Sequence, residues 1–198
     1  LILGGQEVIG IAQTGTGKTA AYLLPILMKV KYAQGDEPRA VILAPTKELT
    51  IQIAEHAVEL AKYTDLRILS VYGGIGPKTQ IEWLRQGIDI LIATPGRFTE
   101  LYMKGELPTT HIQFLVLDEA DRMMDMGFMH QLRKILEVVP RKRQNLLFSA
   151  TFSERVEKLS AEFLEFPIKV EVTPQATAAK QVEQEIYHIA NLKTKMNF

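Results

Sequence analysis

A glycine-rich stretch close to the start of the chain, GIAQTGTGKTAAYLLP at residues 10–25, constrains the fold more than any other feature. It joins a short apolar run to a run of helix-forming residues. Its glycines allow the backbone to turn so that successive N–H groups point at an anion, and the following helix adds its N-terminal dipole. The stretch predicts a strand, a phosphate-binding loop and a helix. The alternative for this stretch alone is an ordinary turn with an exposed lysine.

The rest of the chain repeats this alternation of strand and helix. Continuous apolar runs, typical of parallel strands buried on both faces, lie at 8–11, 40–43, 68–72, 88–93, 114–117, 145–148 and 168–172. Longer segments with helical spacing separate them. Repeated strand–helix–strand units predict an α/β fold with a doubly wound, mainly parallel sheet. Pro25 predicts that the first helix is kinked or ends there.

Composition narrows the functions that such a fold can carry. The 198 residues contain 23 Lys and Arg against 23 Asp and Glu, so a strongly basic nucleic-acid binder is not indicated and phosphate contacts must come from local groups. There is no cysteine, which excludes disulfides and thiolate metal sites. No apolar run is long enough to predict a transmembrane helix, and no signal peptide is visible. We therefore expect a cytoplasmic, intracellular protein without membrane contact.

The domain organisation is predicted from a change in composition near residue 174. Residues 1–173 are expected to form one ATP-binding domain, and the polar sequence PQATAAK is expected to begin an interdomain linker. The following EIYHIA is typical of a strand, so residues 174–198 predict a linker and the start of a truncated second domain. The chain begins with leucine rather than methionine, so we expect it to be trimmed. A targeting segment that preceded residue 1 stays an open alternative.

The phosphate-binding candidates occupy one continuous motif. AQTGTGKT fits the spacing of a P-loop, with alanine in place of the first glycine. Lys18 is expected to reach the β- and γ-phosphates of ATP, and the Thr19 hydroxyl to face Mg²⁺. The nucleotide-binding candidates are Ala12, Gln13, Thr14, Gly15, Thr16, Gly17, Lys18 and Thr19.

Two adjacent carboxylates follow the apolar run FLVL, in the sequence DEAD. A Mg²⁺–triphosphate complex needs one carboxylate to hold the metal and another to polarise the attacking water. Asp118 fits the first role and Glu119 the second, so Lys18, Asp118 and Glu119 are the catalytic candidates and Thr19 and Asp118 the metal ligands. Taken alone, DEAD could equally be a solvated acidic turn.

Four further turns of small or polar residues follow other predicted strands. They contain Pro45 and Thr46; Gly73 and Gly74; Thr94, Pro95, Gly96 and Arg97; and Ser149, Ala150 and Thr151. The carboxyl ends of parallel strands meet at one edge, where ligands bind in open α/β folds. Each turn alone is better explained as an ordinary strand-to-helix connection, but together with the P-loop and DEAD they predict one composite site.

The order of these motifs resembles one family closely. AQTGTGKT, PTKEL, GG, TPGR, DEAD and SAT are similar to motifs I, Ia, GG, Ib, II and III of the DEAD-box RNA helicases, and DRMMDMGF and LLFSATF also resemble that family. The resemblance implies the N-terminal member of two RecA-like P-loop NTPase domains. It implies an ATP-dependent RNA helicase that couples Mg-ATP binding and hydrolysis to RNA strand separation, with RNA and the second domain as partners.

The resemblance also assigns roles to the turns. Asp121 and the turn of Ser149, Ala150 and Thr151 would couple the nucleotide site to the closed state. The implied RNA-backbone contacts, which read phosphate rather than base identity, are Pro45, Thr46, Lys47, Gly73, Gly74, Thr94, Pro95, Gly96 and Arg97. With Lys47 and Arg97 as the cations, binding is expected to release only about two or three counterions.

The sequence departs from the family pattern at Lys47 and at the Q motif, and it lacks the arginines of the second domain. Lys47 stands where the family usually has arginine, so that contact loses its forked geometry. The family's adenine-reading Q motif lies upstream of motif I and is not in this sequence. Arginines of the second domain complete the family's ATPase site, while Arg141 and Arg143 lie at the far end of their strand, so the chain alone is expected to be nearly inactive.

Two other functions share this pattern of motifs. One is an ATP-gated RNA clamp without useful turnover, against which Lys18, Asp118 and Glu119 argue because all the hydrolytic groups are present. The other is a DNA translocase built from the same domains. The chemistry of phosphate contacts does not separate RNA from DNA, whereas recognition of the 2′-hydroxyl does.

Overall fold

A computed structural model of the protein describes residues 1–172. A short 3-10 turn at Ile2–Gly4 precedes the sheet. The strands are β1 (Val8–Ile11), β2 (Ala40–Leu43), β3 (Ile68–Val71), β4 (Ile90–Ala93), β5 (Phe114–Leu117), β6 (Gln144–Ser149) and β7 (Ile168–Glu171). The helices are α1 (Lys18–Val30), α2 (Lys47–Leu60), α3 (Pro77–Leu84), α4 (Pro95–Met103), α5 (Ala120–Asp125), α6 (Met129–Val138) and α7 (Glu154–Phe163).

The seven strands form one sheet in the order β3-β4-β2-β5-β6-β1-β7. All of the strand pairings described for residues 1–172 are parallel. Alternate strand residues bury toward opposite faces, so that Ile42 packs with α1 and α2 while Leu43 packs with α4 to α7. The predicted doubly wound parallel fold is confirmed, because helices cover both faces of the sheet.

The structure differs from the sequence-based expectations mainly at the ends of elements. The β4 ladder begins at Ile90 rather than at residue 88, and β6 extends by one polar residue at each end. The expectation that α1 could end at Pro25 is wrong, since the helix continues to Val30. Leu23 and Ile26, on either side of the proline, are fully buried, and their packing holds the helix together across the missing N–H.

Two sequence-based expectations concern parts of the chain beyond the sheet. The predicted linker and the EIYHIA strand lie outside the described residues, so the domain boundary near residue 174 stays a prediction. None of the helices described for residues 1–172 has the length and apolar character needed to cross a bilayer.

Candidate functional site at the carboxyl edge of the sheet

The six turns singled out from the sequence lie along one edge of the sheet. The turns after β3, β4 and β2 are neighbours, and those after β5, β6 and β1 follow them in the strand order. We call the first three the glycine-turn half and the other three the P-loop half. Backbone bonds join the turns across the strands: the N–H of Ala12 donates to Ser149 O, and the N–H of Asp118 donates to Leu43 O. One continuous edge therefore carries all the predicted site residues.

The P-loop takes its shape from glycines with left-handed backbone. Gly15 and Gly17 have φ of 83° and 85°, values that a residue with a Cβ adopts only with strain. Residues 13–17 are exposed, and α1 begins directly after Gly17. The Lys18 ammonium donates to Ala12 O at 2.6 Å, so it is folded back over the loop. The loop thus presents its amides and one cation around a central space that suits an anion.

A polar cleft of about 570 Å³ opens beside the loop. Its walls bring together the predicted nucleotide residues Lys18, Thr19, Asp118 and Glu119, and side chains of α2 such as His56 complete them. A second, apolar cleft of about 400 Å³ lies on the other side of the loop. The polar cleft has the charged groups that phosphate chemistry requires, so it is the candidate reaction site.

Asp118 lies at the end of β5 and is only 3% exposed. Its Oδ2 accepts a hydrogen bond from the hydroxyl of Tyr22 at 2.8 Å, and its Oδ1 accepts one from the N–H of Glu119 at 2.9 Å. Burial raises the pKa of Asp118, whereas the Tyr22 hydrogen bond and the charge of Lys18 act to lower it. Burial, followed by the charge of Asp118, raises the pKa of Tyr22, so this hydroxyl remains a donor at neutral pH.

An aromatic contact fixes Tyr22 from the sheet side. The ring of Tyr22 packs against Phe148 with centroids 5.1 Å apart. Phe148 is held in turn over Gly10, where an added Cβ would lie 2.5 Å from the Phe148 ring. Gly10, Phe148 and Tyr22 thus form a packed row that reaches from β1 to the carboxylate of Asp118.

Glu119 is placed by an unusual backbone conformation. Its φ of 54° and ψ of 53° lie in the left-handed region, which costs an L-residue roughly 1–2 kcal/mol. Arg122 approaches the same carboxylate, with Nη1 3.3 Å from Glu119 Oε2. Both carboxylates line the polar cleft, but Asp118 is buried whereas Glu119 is partly exposed, which allows the two adjacent groups to have different roles.

Asp121 joins the DEAD turn to the SAT turn. Its Oδ2 accepts hydrogen bonds from the N–H of Thr151 at 3.0 Å and from the Thr151 hydroxyl at 2.9 Å. The N–H of Asp121 donates to the Ser149 hydroxyl at 3.2 Å. Ala150, which lies between Ser149 and Thr151 in the sequence, is half-buried. Three of the four predicted coupling residues are therefore in direct contact, which is the arrangement that a mechanical link between two turns requires.

The donor groups of the cleft fit a magnesium ion that is shared with a nucleotide. Asp118 and Thr19 supply hard oxygen atoms, and each Asp118 oxygen that accepts one hydrogen bond retains a further lone pair. Within residues 1–172, no three acidic or histidine side chains gather into a complete metal cage. Mg²⁺ is commonly bound by one or two protein groups together with phosphates and water, so the sparse donor set agrees with that metal.

The glycine-turn half presents backbone rather than charge. Thr46 caps α2, its hydroxyl accepting the N–H of Leu49 at 3.2 Å, and Pro45 beneath it is buried. Gly73 and Gly74 are exposed, whereas Thr94 and Pro95 are buried and leave Gly96 half-exposed at the start of α4. Pro95 gives α4 no N–H at its first position, and Thr46 binds the N–H of Leu49. The amides without an acceptor in their own helix are therefore those of Lys47 and Glu48 in α2 and of Gly96 and Arg97 in α4.

The two predicted cations of this half are placed very differently. Lys47 is exposed at the start of α2, with its ammonium 5.3 Å from the centre of the Tyr72 ring. Arg97 is turned inward, and its side chain is only 5% exposed. Its guanidinium binds Gln80 and Ile75 of the chain itself, so in this structure it does not face the edge.

Three residues of the site were missed from the sequence. Tyr22 lies within an apolar helical run, where its ring predicts a core position and its hydroxyl gives no local signal. Gln80 and Arg122 lie on helices and look like ordinary polar surface residues. A usable signal existed only for Arg122, which is three residues after Glu119 and therefore on the same helical face.

The sequence matches the model of the DEAD/DEAH box helicase family over residues 1–159. The chain belongs to this family. It is 46% identical over 197 residues to the ATP-dependent RNA helicase RhlB of Pseudomonas putida, a match that covers 95% of this chain and 50% of the relative. It is 44% identical over 191 residues to the DEAD-box ATP-dependent RNA helicase 30 of rice, covering 94% and 29% of the two chains.

Solved structures of DEAD-box proteins share the fold. A hypothetical ATP-dependent RNA helicase from Sulfolobus tokodaii superposes with a TM-score of 0.80 at 36% identity, covering 87% of this chain and 50% of the other. The yeast DEAD-box splicing factor Prp28 superposes with a TM-score of 0.80 at 34% identity, covering 85% and 41%. The sheet described above is thus the RecA-like sheet of this family. The chain spans about half the length of the RhlB relatives that it matches.

Proposed function

We propose that this chain is the ATP-binding domain of an ATP-dependent RNA helicase. One observation carries the proposal: the P-loop, DEAD and SAT turns are neighbours at the same edge that also carries the PT, GG and TPGR turns. A nucleotide bound in the P-loop half and a nucleic acid bound along the glycine-turn half would therefore share one rigid sheet. A change at one ligand can then be transmitted to the other through the turns between them.

The P-loop half supplies the groups for hydrolysis. Lys18 and the amides of residues 13–17 bind the phosphates, and Lys18 leaves Ala12 O to do so. Asp118 and Thr19 would hold Mg²⁺, which when bound neutralises charge that develops on the phosphates. Glu119 orients the attacking water and accepts its proton, because it lines the same cleft as Lys18 and Asp118.

Asp121 transmits the state of this site to the rest of the edge. Its carboxylate holds Thr151, and its N–H meets Ser149, so a shift of the DEAD turn moves the SAT turn with it. Because β6 lies between β5 and β1 in the sheet, the SAT turn also touches the P-loop strand. We assign the coupling role to this contact.

The glycine-turn half would bind one RNA strand through its phosphates. Free amides at the starts of α2 and α4, the exposed Gly73 and Gly74, and the ammonium of Lys47 are suitable donors for phosphate oxygens. Such contacts need little net positive charge, in agreement with the formal net charge of +0. The relatives' names as RNA helicases favour RNA over DNA as the ligand.

The complete activity requires more chain than these residues. We assign residues 174–198 to the linker and the first strand of a second RecA-like domain, whose arginines would face the γ-phosphate. We also propose that the protein acts in the cytoplasm. Strand separation would follow when ATP and RNA draw the two domains together.

A competition experiment tests the choice of nucleic acid. Fluorescent single-stranded RNA is bound to the chain in the presence of Mg-ATP, and matched unlabelled RNA or DNA of the same sequence is added. We expect RNA to compete at lower concentration, because only RNA has a 2′-hydroxyl to contact. Equal competition by DNA would favour a DNA translocase, and absence of binding at low salt would contradict the proposed RNA site.

A further inference from the structure

The buried position of Arg97 carries an inference about how the nucleic-acid edge is built. Its Nη1 donates to Gln80 Oε1 at 3.1 Å, and its Nη2 donates to the carbonyl of Ile75 at 2.7 Å. Its Nε lies 3.0 Å from the Glu100 carboxylate. The Nε has no hydrogen-bond partner within residues 1–172 despite this short ion-pair distance. Two hydrogen bonds and one ion pair therefore hold the guanidinium within the chain, and turning it toward a phosphate would break them.

Gln80 connects Arg97 to the backbone of Tyr72. It is 0% exposed, so it cannot touch a ligand at the surface. Its Nε2 donates to the carbonyl of Tyr72 at 3.2 Å, while its Oε1 accepts from Arg97. Residues 72–76, which we call the glycine turn, are thus held at Tyr72 through Gln80 and at Ile75 directly by Arg97.

The glycine turn also meets the third element of this half. The ring of Tyr72 lies beneath the ammonium of Lys47, which is 5.3 Å from its centre. The start of α4, the glycine turn and the start of α2 are therefore joined by side chains as well as by the sheet. Because Gly73 and Gly74 have no side chains of their own to pack, these outside contacts must fix where their amides point.

We propose that Arg97 is a positioning residue, which with Gln80 holds the amides of the glycine turn in place for an RNA strand and does not itself bind a phosphate. The role rests on the proposed function, since it requires RNA at this edge. It accounts for a charged residue buried beside an exposed binding surface. It also separates the TPGR turn into backbone that faces the ligand and one side chain that faces the interior.

The first experiment needs no RNA. Hydrogen exchange of residues 73–76 is compared between the unsubstituted chain, Arg97→Gln and Gln80→Leu. Gln80→Leu is of similar size and neutral, and it removes both the donor to Tyr72 O and the acceptor for Arg97. We expect the glycine turn to exchange about tenfold faster in both variants, the effect of losing roughly one hydrogen bond. Arg133→Gln, which removes an exposed ion pair with Glu162, is the matched control and should leave the turn unchanged.

The second experiment separates positioning from direct contact. RNA affinity is measured at several salt concentrations for Arg97→Gln, Gln80→Leu and the double variant. We expect each single variant to lose affinity severalfold with an unchanged salt slope, and the double variant to be little worse than either, because both act through one link. A phosphate ligand would instead reduce the slope by about 0.7 when its charge is removed.

The outcomes are distinct. A reduced slope in Arg97→Gln with an unchanged glycine turn overturns the positioning role and restores a direct contact. If Arg97→Gln does not fold, Gln80→Leu decides alone, since it replaces one buried neutral side chain by another and its effect on RNA can only be indirect. Should the unsubstituted chain fail to bind RNA, the proposed function fails and the positioning role fails with it.

Discussion

The two halves of the carboxyl edge use side chains in opposite ways. In the P-loop half, Lys18, Asp118 and Glu119 line an open cleft, where they can meet phosphate, metal and water, although Asp118 is itself largely buried. In the glycine-turn half, Arg97 and Gln80 are buried, and the surface consists largely of backbone. The difference teaches that a reacting ligand requires specific chemical groups, whereas a ligand that is only held requires correctly placed amides.

The opposite edge of the sheet is anchored by side-chain contacts in both halves. Behind the glycine-turn half, the Asp89 carboxylate is fully buried and accepts bonds from Arg39 at 2.7 Å and from Arg67 at 3.0 Å. Burial acts to raise the pKa of Asp89, but hydrogen bonds from Arg67, Gln34 and Arg39 hold it at about 2. Behind the P-loop half, Glu7 binds the amide side chain of Asn145 at 2.6 Å. Arg143 Nε donates to the Asn145 side-chain oxygen at 2.7 Å, so charged groups anchor both halves at this edge, as a direct ion pair in one and through an amide in the other.

The largest effect is expected on phosphate release, when the second domain is added and completes the P-loop half. RNA-stimulated phosphate release should be about 10³ to 10⁵ times faster in the longer protein that includes the second domain, the contribution typical of an added arginine finger. Phosphate release with and without RNA is measured for both proteins. Glu119→Gln in the longer protein should abolish turnover while ATP still binds. RNA-stimulated turnover by this chain alone would show that the P-loop half is already complete, with Arg122 as the nearest guanidinium.

The next effect tests the anchor behind the glycine-turn half. Asp89→Asn should lower the free energy of unfolding by roughly 3 kcal/mol at neutral pH, near the lower limit for breaking a buried ion pair, because Arg67 remains partly exposed. Chemical denaturation measures the change. Asp36→Asn, which removes a carboxylate 91% exposed and 4.0 Å from Arg67, is the matched control and should have little effect.

The same variant has a predicted pH dependence. The folded-state pKa of Asp89 is about 2, against 3.8 for an unperturbed aspartate, so its stabilisation is complete above about pH 4. As pH falls from about 4 to 2, the unsubstituted chain should lose about 2 kcal/mol that Asp89→Asn does not lose. Parallel acid profiles of the two proteins would contradict the assigned pKa.

A smaller effect is expected for the cation of the P-loop. Lys18→Ala should weaken Mg-ATP binding by roughly 1.5–3 kcal/mol, or about 10- to 150-fold, since a charge-assisted hydrogen bond to phosphate is lost. Calorimetric titration measures the affinity, and circular dichroism checks the fold. Lys158→Ala, an exposed lysine on α7, serves as the control. An unchanged affinity in folded Lys18→Ala would remove the phosphate assignment, and a parallel loss of RNA affinity would show that the halves are coupled even without nucleotide.

The smallest effect concerns the charge of the glycine-turn half. Burial of Arg97 lowers the expected number of released counterions from about two or three to about one, so the salt slope for single-stranded RNA should be about −0.7. Lys47→Ala should bring the slope near zero with a modest loss of affinity. Lys62→Ala, whose ammonium lies 5.7 Å from the Tyr63 ring past the end of α2, removes a similar contact away from the edge. A slope several times steeper would reveal that RNA contacts a basic surface in addition to Lys47.

The parts of the site that the sequence predicted depend on local order. The P-loop, DEAD and SAT turns each follow a buried strand directly, so spacing along the chain places Lys18, Asp118 and Thr151 at one edge once the sheet is parallel. The strand limits were less exact, because polar residues such as Gln144 continue a ladder without an apolar signal. The course of α1 through Pro25 was not predictable, since only tertiary packing decides it.

The parts that were missed depend on contacts between distant residues. Tyr22 meets Asp118 across 96 positions, and Arg97 meets Gln80 across 17. Arginine is almost never fully buried unless it is paired, so its residue type and the family resemblance both indicated an exposed ligand contact. Only the fold shows that its partners are a buried glutamine and a backbone carbonyl.

The close approach of Gly10 to Phe148 limits how this chain can vary in evolution. An alanine at position 10 would place a methyl group 2.5 Å from the Phe148 ring, so the ring would have to move or become smaller. A smaller residue at position 148 would leave Tyr22 without its neighbour and loosen its hydroxyl on Asp118. Positions 10, 148 and 22 can therefore change only as a set, although Gly10 lies outside the P-loop motif.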